Sequence, residues 1–485
     1  MTNFKSIIKQ LSEKDYHAIK VSLKDSNADK SMMLLESVRG KGASDEEIMA
    51  ELSTTGGAYY ALRSRLVHRI EEYLIEQMET PRTDLVKKVS NINEVLFTKK
   101  RTLAIATLKK LEKELIDFDL SNELTFIYKC LKKLHINHPN YFHYSQLYNR
   151  HVAYMLAMDK AEDLLSEYFK KYGEFTLTGL EIEKTGLKLI RQEMSNVCNL
   201  YQSHRLYVLN SFMNIFHRLF VEKDDENITD LDEEPTEDVL QRNEEIINSY
   251  KTDKIYFHLN IVLEYLRLGY YTHFNVYRKA ERYYQEVNIH SSRLLSNYNL
   301  YTFPSNFLVL KIDRALRLGS EADLSEEAFD LYEDLQPDKH DLPQFYIYSV
   351  FRGLASYYSD NYDEAAKWIN TLINDLTWKK YPLALLEARL FLNIQFLFKG
   401  DKDLAKQING SIQRQIRALG KENCEVAFAF QQILKISTSH FKKDKRDKIQ
   451  EVIRELEKIT TNYFSPLKLI RLDEKFVEIL LVKTK

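Results

Sequence analysis

Apolar residues along this chain recur every three or four positions rather than every second one, so the pattern predicts helices almost throughout. In KRTLAIATLKKLEKELIDF, residues 100–118, Leu103, Ala106, Leu111 and Leu115 recur at that spacing. TDLVKKVSNINEVLF, SNELTFIYKCLKKLHI, the run from Tyr141 to Tyr172 and two stretches ending at Phe220 follow the same rule. Only 13 Gly and 8 Pro punctuate 485 residues, which suits long helices joined by short turns. So long a chain exceeds one compact helical core, and several units or a repeat array are expected.

The first block, 1–80, holds shorter helices. Ser12 is placed to cap SEKDYHAIKVSL, and Ser44 with Glu47 forms a capping box for DEEIMAEL. A Ser/Thr/Gly turn then leads into a helix from Gly56, which puts Tyr59, Leu62, Leu66, Val67, Ile70, Tyr73 and Leu74 on one arc. Arg65 and Arg69 share another stripe with Glu72 and Glu76, whereas Arg63 falls in the apolar arc and is expected to have a carboxylate partner. Pro81 marks a boundary, and helical hairpins are expected over 82–221.

Acidic residues replace the periodicity in EKDDENITDLDEEPTED, residues 222–238. Such a run reads as a solvated loop or linker, or else as an acidic decoy for a basic groove. Helical order resumes over 239–485. There RLGYYTHFNVYRKAERYYQEV, RLGSEADLSEEAFDLYEDL, GLASYYSDNYDEAAKWINTLI and FLFKGDKDLAKQINGSI share one plan: an apolar helix, a polar turn, then a small residue followed by bulky ones. The small residues are Ala280, Ala328, Ala365 and Ala405, with Tyr284, Tyr332 and Ile369 filling the wider gap. HFKKDKRDK, 440–448, interrupts the pattern before a final helix pair, IQEVIRELEKI and LKLIRLDEKFVEILLV.

These segments resemble the tetratricopeptide repeat, whose second helix opens with an aromatic and carries alanine three positions later, as Tyr277 with Ala280 and Tyr362 with Ala365 do. Gly353 stands where that family places its first-helix glycine. Intervals of 48, 37 and 40 residues between the four alanines exceed the family's spacing of about 34, and Thr377 stands where its closing proline would be. The resemblance implies an all-α, irregular tetratricopeptide-like α-solenoid of antiparallel helix pairs with a small N-terminal helical domain. The N-terminal segments LSEKDYHAIKVSL, DKSMMLLESV and AYYALRSRLVHRIEEYL are similar to the start of uncharacterised helical-repeat proteins of Bacteroidetes, which carry no activity across.

Charge changes this picture little: 69 basic and 71 acidic side chains leave a net charge of −2, too small to gather nucleic acid or anionic membrane. No apolar run approaches a membrane span, and the opening MTNFKSIIKQLSEKDY lacks a signal-type core, so a cytoplasmic location is expected. Cys130, Cys198 and Cys424 are isolated from one another and are expected to be small packing residues. His135, His138, His143 and His151 have no HExxH spacing and read as surface and packing histidines. No phosphate loop, nucleophile elbow or dinucleotide fingerprint occurs, so neither metal nor cofactor nor catalytic residue is expected.

The 31 Tyr and 25 Phe are mostly expected in the core. In the family resembled, a concave groove commonly receives a protein segment or peptide, and first-helix residues Tyr265, Arg267, Tyr348, Arg352, Arg389 and Asn393 are the candidates for it. The basic clusters 99–110 and 440–448 read as solvated turns or as contacts for an acidic partner. The leading expectation is therefore a non-enzymatic protein- or peptide-binding scaffold. The alternative is a peptide-sensing transcriptional regulator whose N-terminal module meets DNA through Arg63, Arg65 and Arg69. Against it, residues 1–79 carry 11 Lys and Arg against 13 Asp and Glu, and the would-be reading helix opens with Gly56, Gly57, Ala58, Tyr59 and Tyr60.

Overall fold

The computed structural model describes residues 4–9, 11, 13–26, 28–41, 45–76, 81–201, 203–222, 234–250, 254–296, 301–326, 338–374, 376–438 and 444–483. Among these, every regular element is a helix and no strand occurs. Ser12, Ser44, Ala328, Tyr332 and most of the acidic run 222–238 lie outside the described residues. No helix among the described residues is long and apolar enough to cross a membrane. Contacts divide the chain into two compact units, Met1–Val152 and Ala153–Lys485, and the division falls inside the 39-residue helix Asn140–Thr178. Pro81 opens the helix Pro81–Ser90, where a first-turn proline forfeits no intrahelical hydrogen bond.

In the first unit, helices Asp45–Glu51 and Gly56–Glu76 both form, Gly56–Glu76 packs on Asp29–Lys41, and Tyr59, Leu62, Leu66 and Ile70 are buried with Phe4, Ile19, Leu34 and Ile48. A separate cluster runs from Leu85 to Tyr144. The stretch expected as one helix over 83–97 is two, Pro81–Ser90 and Ile92–Thr98. Helix Arg101–Asp117 is rotated from the expected phase: Ala104, Leu108, Leu111 and Leu115 are buried, while Leu103 is 54% exposed. At about 100° per residue those four fall within about 60° of arc, and Leu103 lies about 100° from Ala104.

In the second unit, helices adjacent in sequence pack together: Lys254–His273 on Tyr277–Ile289, and Leu342–Tyr358, Tyr362–Ile373, Pro382–Lys399 and Lys402–Leu419 each on the next. Ala280, Ala365 and Ala405 are buried in these pairs. At Gly353 a Cβ would lie 3.1 Å from both Ile369 Cδ1 and Phe391 Cε1, so any side chain there makes both neighbours give by a few tenths of an ångström. The turn between the last two helices is two residues long. Gly400, at φ 87, ends one helix in the left-handed region, and Asp401 caps the other by accepting from Leu404 N.

Helix Pro382–Lys399 is enclosed by Tyr362–Ile373, Lys402–Leu419, Glu425–Thr438, the turn Pro466–Leu469 and Glu474–Lys483. The last two replace the single helix expected for LKLIRLDEKFVEILLV. Buried side chains lie all round this central helix, Glu387, Asn393 and Gln395 among them.

Two glycines separate close packing from helix propensity. Gly353→Val should lower unfolding free energy by about 1–3 kcal/mol through overpacking. Gly410→Ala, whose new Cβ meets nothing within 4 Å, should raise it by about 0.5–1 kcal/mol. Urea midpoints at constant slope measure both, and the reverse order would refute this account of the helix crossing.

Candidate functional site

Helices Lys402–Leu419, Glu425–Thr438 and Lys445–Lys458 border a concavity of about 550 Å³. Its wall follows from the two faces of Glu425–Thr438. Val426, Ala427, Phe430, Ile433 and Leu434 are buried in the core, while Phe428, Gln431, Gln432, Lys435 and Ile436 recur on the opposite side and line the concavity. The first helix adds Gln413, Ile416 and Arg417, the turn after it Lys421, and the third helix Lys445 and Lys448.

The lining therefore holds five cations, three amides and three apolar side chains, with no carboxylate, histidine or thiol. Lys421 Nζ sits 4.7 Å from the Phe428 ring centroid, and Lys445 Nζ donates to Ser437 O at 2.8 Å. Among the described residues none of the five cations joins an ion pair. Arg417 and Lys435 occupy the last turns of their helices, where carbonyl ends stabilise positive charge. Two other concavities carry mixed charge: one of about 600 Å³ pairs Lys170 and Lys380 with Glu174, Asp338 and Asp341, and one of about 300 Å³ holds Asp313 with Lys468. Only a wall of one sign focuses a field that draws in the opposite charge.

The six residues expected in a peptide groove are placed mostly inside the protein. Tyr265 is fully buried beside Phe220, and Asn393 is 1% exposed on the central helix. Arg267 is buried in ion pairs with Glu244 at 2.6 Å and Glu264 at 3.5 Å. Tyr348 is buried, and its hydroxyl accepts from Arg352 Nη1 at 3.0 Å; Arg352 lies 4.4 Å over the Trp368 ring. Arg389 is half-buried and donates to Gln415 Oε1 at 2.8 Å. Only the two half-buried arginines, Arg352 and Arg389, keep part of their surface. Of the expected basic cluster 440–448, Lys445 and Lys448 reach the groove, while 440–443 lie outside the described residues.

In the first unit Arg65 and Arg69 are exposed, and Arg63 lies 5.0 Å over the Phe4 ring, an aromatic neighbour where a carboxylate was expected. Glu72 meets His68 at 3.3 Å. His135 is buried with Nδ1 2.7 Å from Leu131 O, His151 packs on Tyr128, and His138 and His143 are exposed. Among the described residues no group of three or more His, Cys, Asp or Glu could hold a metal ion. Cys130 and Cys424 are buried and Cys198 is half-buried.

Two buried polar clusters bring titratable side chains together. Tyr168 Oη meets His217 Nδ1 at 2.9 Å, and His217 Nε2 meets Glu222 Oε1 at 3.2 Å. Burial holds the imidazole below its usual pKa, so Nε2–H donates to the carboxylate and Nδ1 accepts from the tyrosine. Burial alone would raise Glu222, but the bond from His217 and the charges of Arg191 and Lys188 hold it low. The second cluster centres on Glu387, fully buried, which accepts from Tyr463 Oη at 2.8 Å. Desolvation pushes its pKa up to about 7 against the opposing influence of the nearby Ser465 hydroxyl, the Tyr463 hydrogen bond and the Lys468 charge.

A carboxyl raised from 4.5 to about 7 keeps its proton in the fold when the unfolded chain has lost it. Its contribution is complete below pH 4.5 and is lost as pH rises to about 7, with a ceiling on the order of 3 kcal/mol. Glu387→Gln should flatten the stability profile across that window and stabilise the chain at pH 8, as read by urea unfolding. An unchanged slope would show that Glu387 ionises freely in the fold. Comparison with protein-family models, curated proteins and solved structures finds no match for this chain.

Proposed function

We propose that this chain is a non-enzymatic, tetratricopeptide-like helical-repeat protein that docks a protein or peptide, and that the basic groove is its docking surface. One observation carries the reading: a concavity of about 550 Å³ that combines five cations and three amides with the apolar side chains Ile416, Phe428 and Ile436. An apolar floor supplies contact area, amides match backbone donors and acceptors, and cations add orientation and a fast encounter. Support for the repeat architecture comes from helices packing in chain order, with Gly353 and the small residues Ala280, Ala365 and Ala405 buried between them.

A photo-crosslinking residue at Gln432, in the full chain expressed in its native host, tests this. Discrete protein adducts are expected there, and Phe428→Asp should deplete them. Adducts no different from those formed at the exposed Gln285 would overturn the docking assignment.

A further inference from the structure

We infer that the groove takes an acidic peptide segment in which carboxylates alternate with a few apolar side chains; this rests on the groove being a docking surface. Arg417, Lys421, Lys435, Lys445 and Lys448 converge from two helix ends, a turn and a helix start on a lining that holds no acidic residue. Four of them are exposed, so their charge faces solvent rather than the core. The protein as a whole carries only −2, so this patch is a local departure from a balanced surface.

The remaining lining separates a peptide from other anions. Inorganic phosphate has no use for the apolar contact offered by Ile416, Phe428 and Ile436. Single-stranded nucleic acid binds on open aromatic platforms, whereas the one aromatic here, Phe428, is half-buried and already lies beneath Lys421. Gln413, Gln431 and Gln432 each offer a donor and an acceptor, the pairing that a peptide backbone presents. A volume of about 550 Å³ lies within the range that holds a compact ligand or a few side chains. Each exposed ion pair is weak and screened by salt, so affinity has to come from several at once and has to fall with ionic strength.

Fluorescence anisotropy on the full chain tests this with a labelled peptide, EDLEDIEDLE, and its amide counterpart, QNLQNIQNLQ. The acidic residues over 224–233 are replaced by their amides so that the chain's own acidic run does not compete. Competitors are a short oligothymidylate and inorganic phosphate. The acidic peptide should bind and the amide peptide should not, and affinity should fall about tenfold or more between about 50 and about 300 mM salt. Lys421→Glu with Lys435→Glu should weaken binding about tenfold or more, while Arg454→Glu, an exposed cation outside the groove, should leave it unchanged. Unaltered far-UV circular dichroism shows that the variants fold.

Equal binding of the two peptides, or no effect of the double reversal, would overturn the acidic specificity and leave docking at Gln432 standing. Tighter binding of oligothymidylate, or full displacement of the peptide by phosphate alone, would assign the groove to those anions instead. No binding by a folded chain would also overturn the inference, whereas the crosslinking at Gln432 decides the docking reading by itself.

Discussion

Enclosure of helix Pro382–Lys399 on all sides is the constraint on which the rest of the second unit depends. A helix ringed by neighbours has little solvent face on which to discard polar atoms, so those inside must be bonded, neutralised or tolerated. Burial raises the pKa of Glu387 to about 7, which favours its neutral form below that pH, and Tyr463 donates to it. That bond ties the segment before the final helix to the middle of the core, and Phe464 N, donating to Thr176 O at 2.7 Å, pins the same segment to helix Asn140–Thr178. Asn393 Oδ1 and Gln395 Oε1 have no hydrogen-bond partner among the described residues, a cost that the surrounding apolar burial offsets.

The groove follows from the same enclosure. Glu425–Thr438 spends its apolar stripe on the central helix, leaving a second face that must be lined with something else. Phe428 and Ile436 on that face keep apolar surface near solvent, and Lys435 with its neighbours keeps that surface hydrated. Five cations without a carboxylate give that lining a single sign of charge. Glu222, by contrast, gathers His217, Arg191 and Lys188 about itself at 3.2, 3.7 and 3.8 Å, and its charge is spent inside the fold.

Much of this was legible from residues alone where local physics decides. Helices were readable from spacing, the buried face of Gly56–Glu76 from its arc, and the turn at Gly400 and Asp401 from its residue types. The phase of Arg101–Asp117 was misread because Leu103 and Ala104 are both apolar, and periodicity does not say which of two adjacent stripes meets a neighbour. The candidates Tyr265, Arg267, Tyr348 and Asn393 were expected at a concave face because the repeat resemblance puts first helices there. Their helices are buried on more than one face, which erases the amphipathic stripe that would have placed them.

The sequence by itself determined the helical class and the small residues Ala280, Ala365 and Ala405 that lie buried between helices, because spacing and side-chain size are local properties of the chain. Only the tertiary structure decided which polar side chains are core and which cations share a wall. Arg417, Lys421, Lys435 and Lys448 are separated by 4, 14 and 13 positions, and no short-range pattern joins them. Packing of Lys402–Leu419 and Glu425–Thr438 on the enclosed helix, and of Lys445–Lys458 on Glu425–Thr438, brings them together, and that packing is set by surfaces distant in sequence.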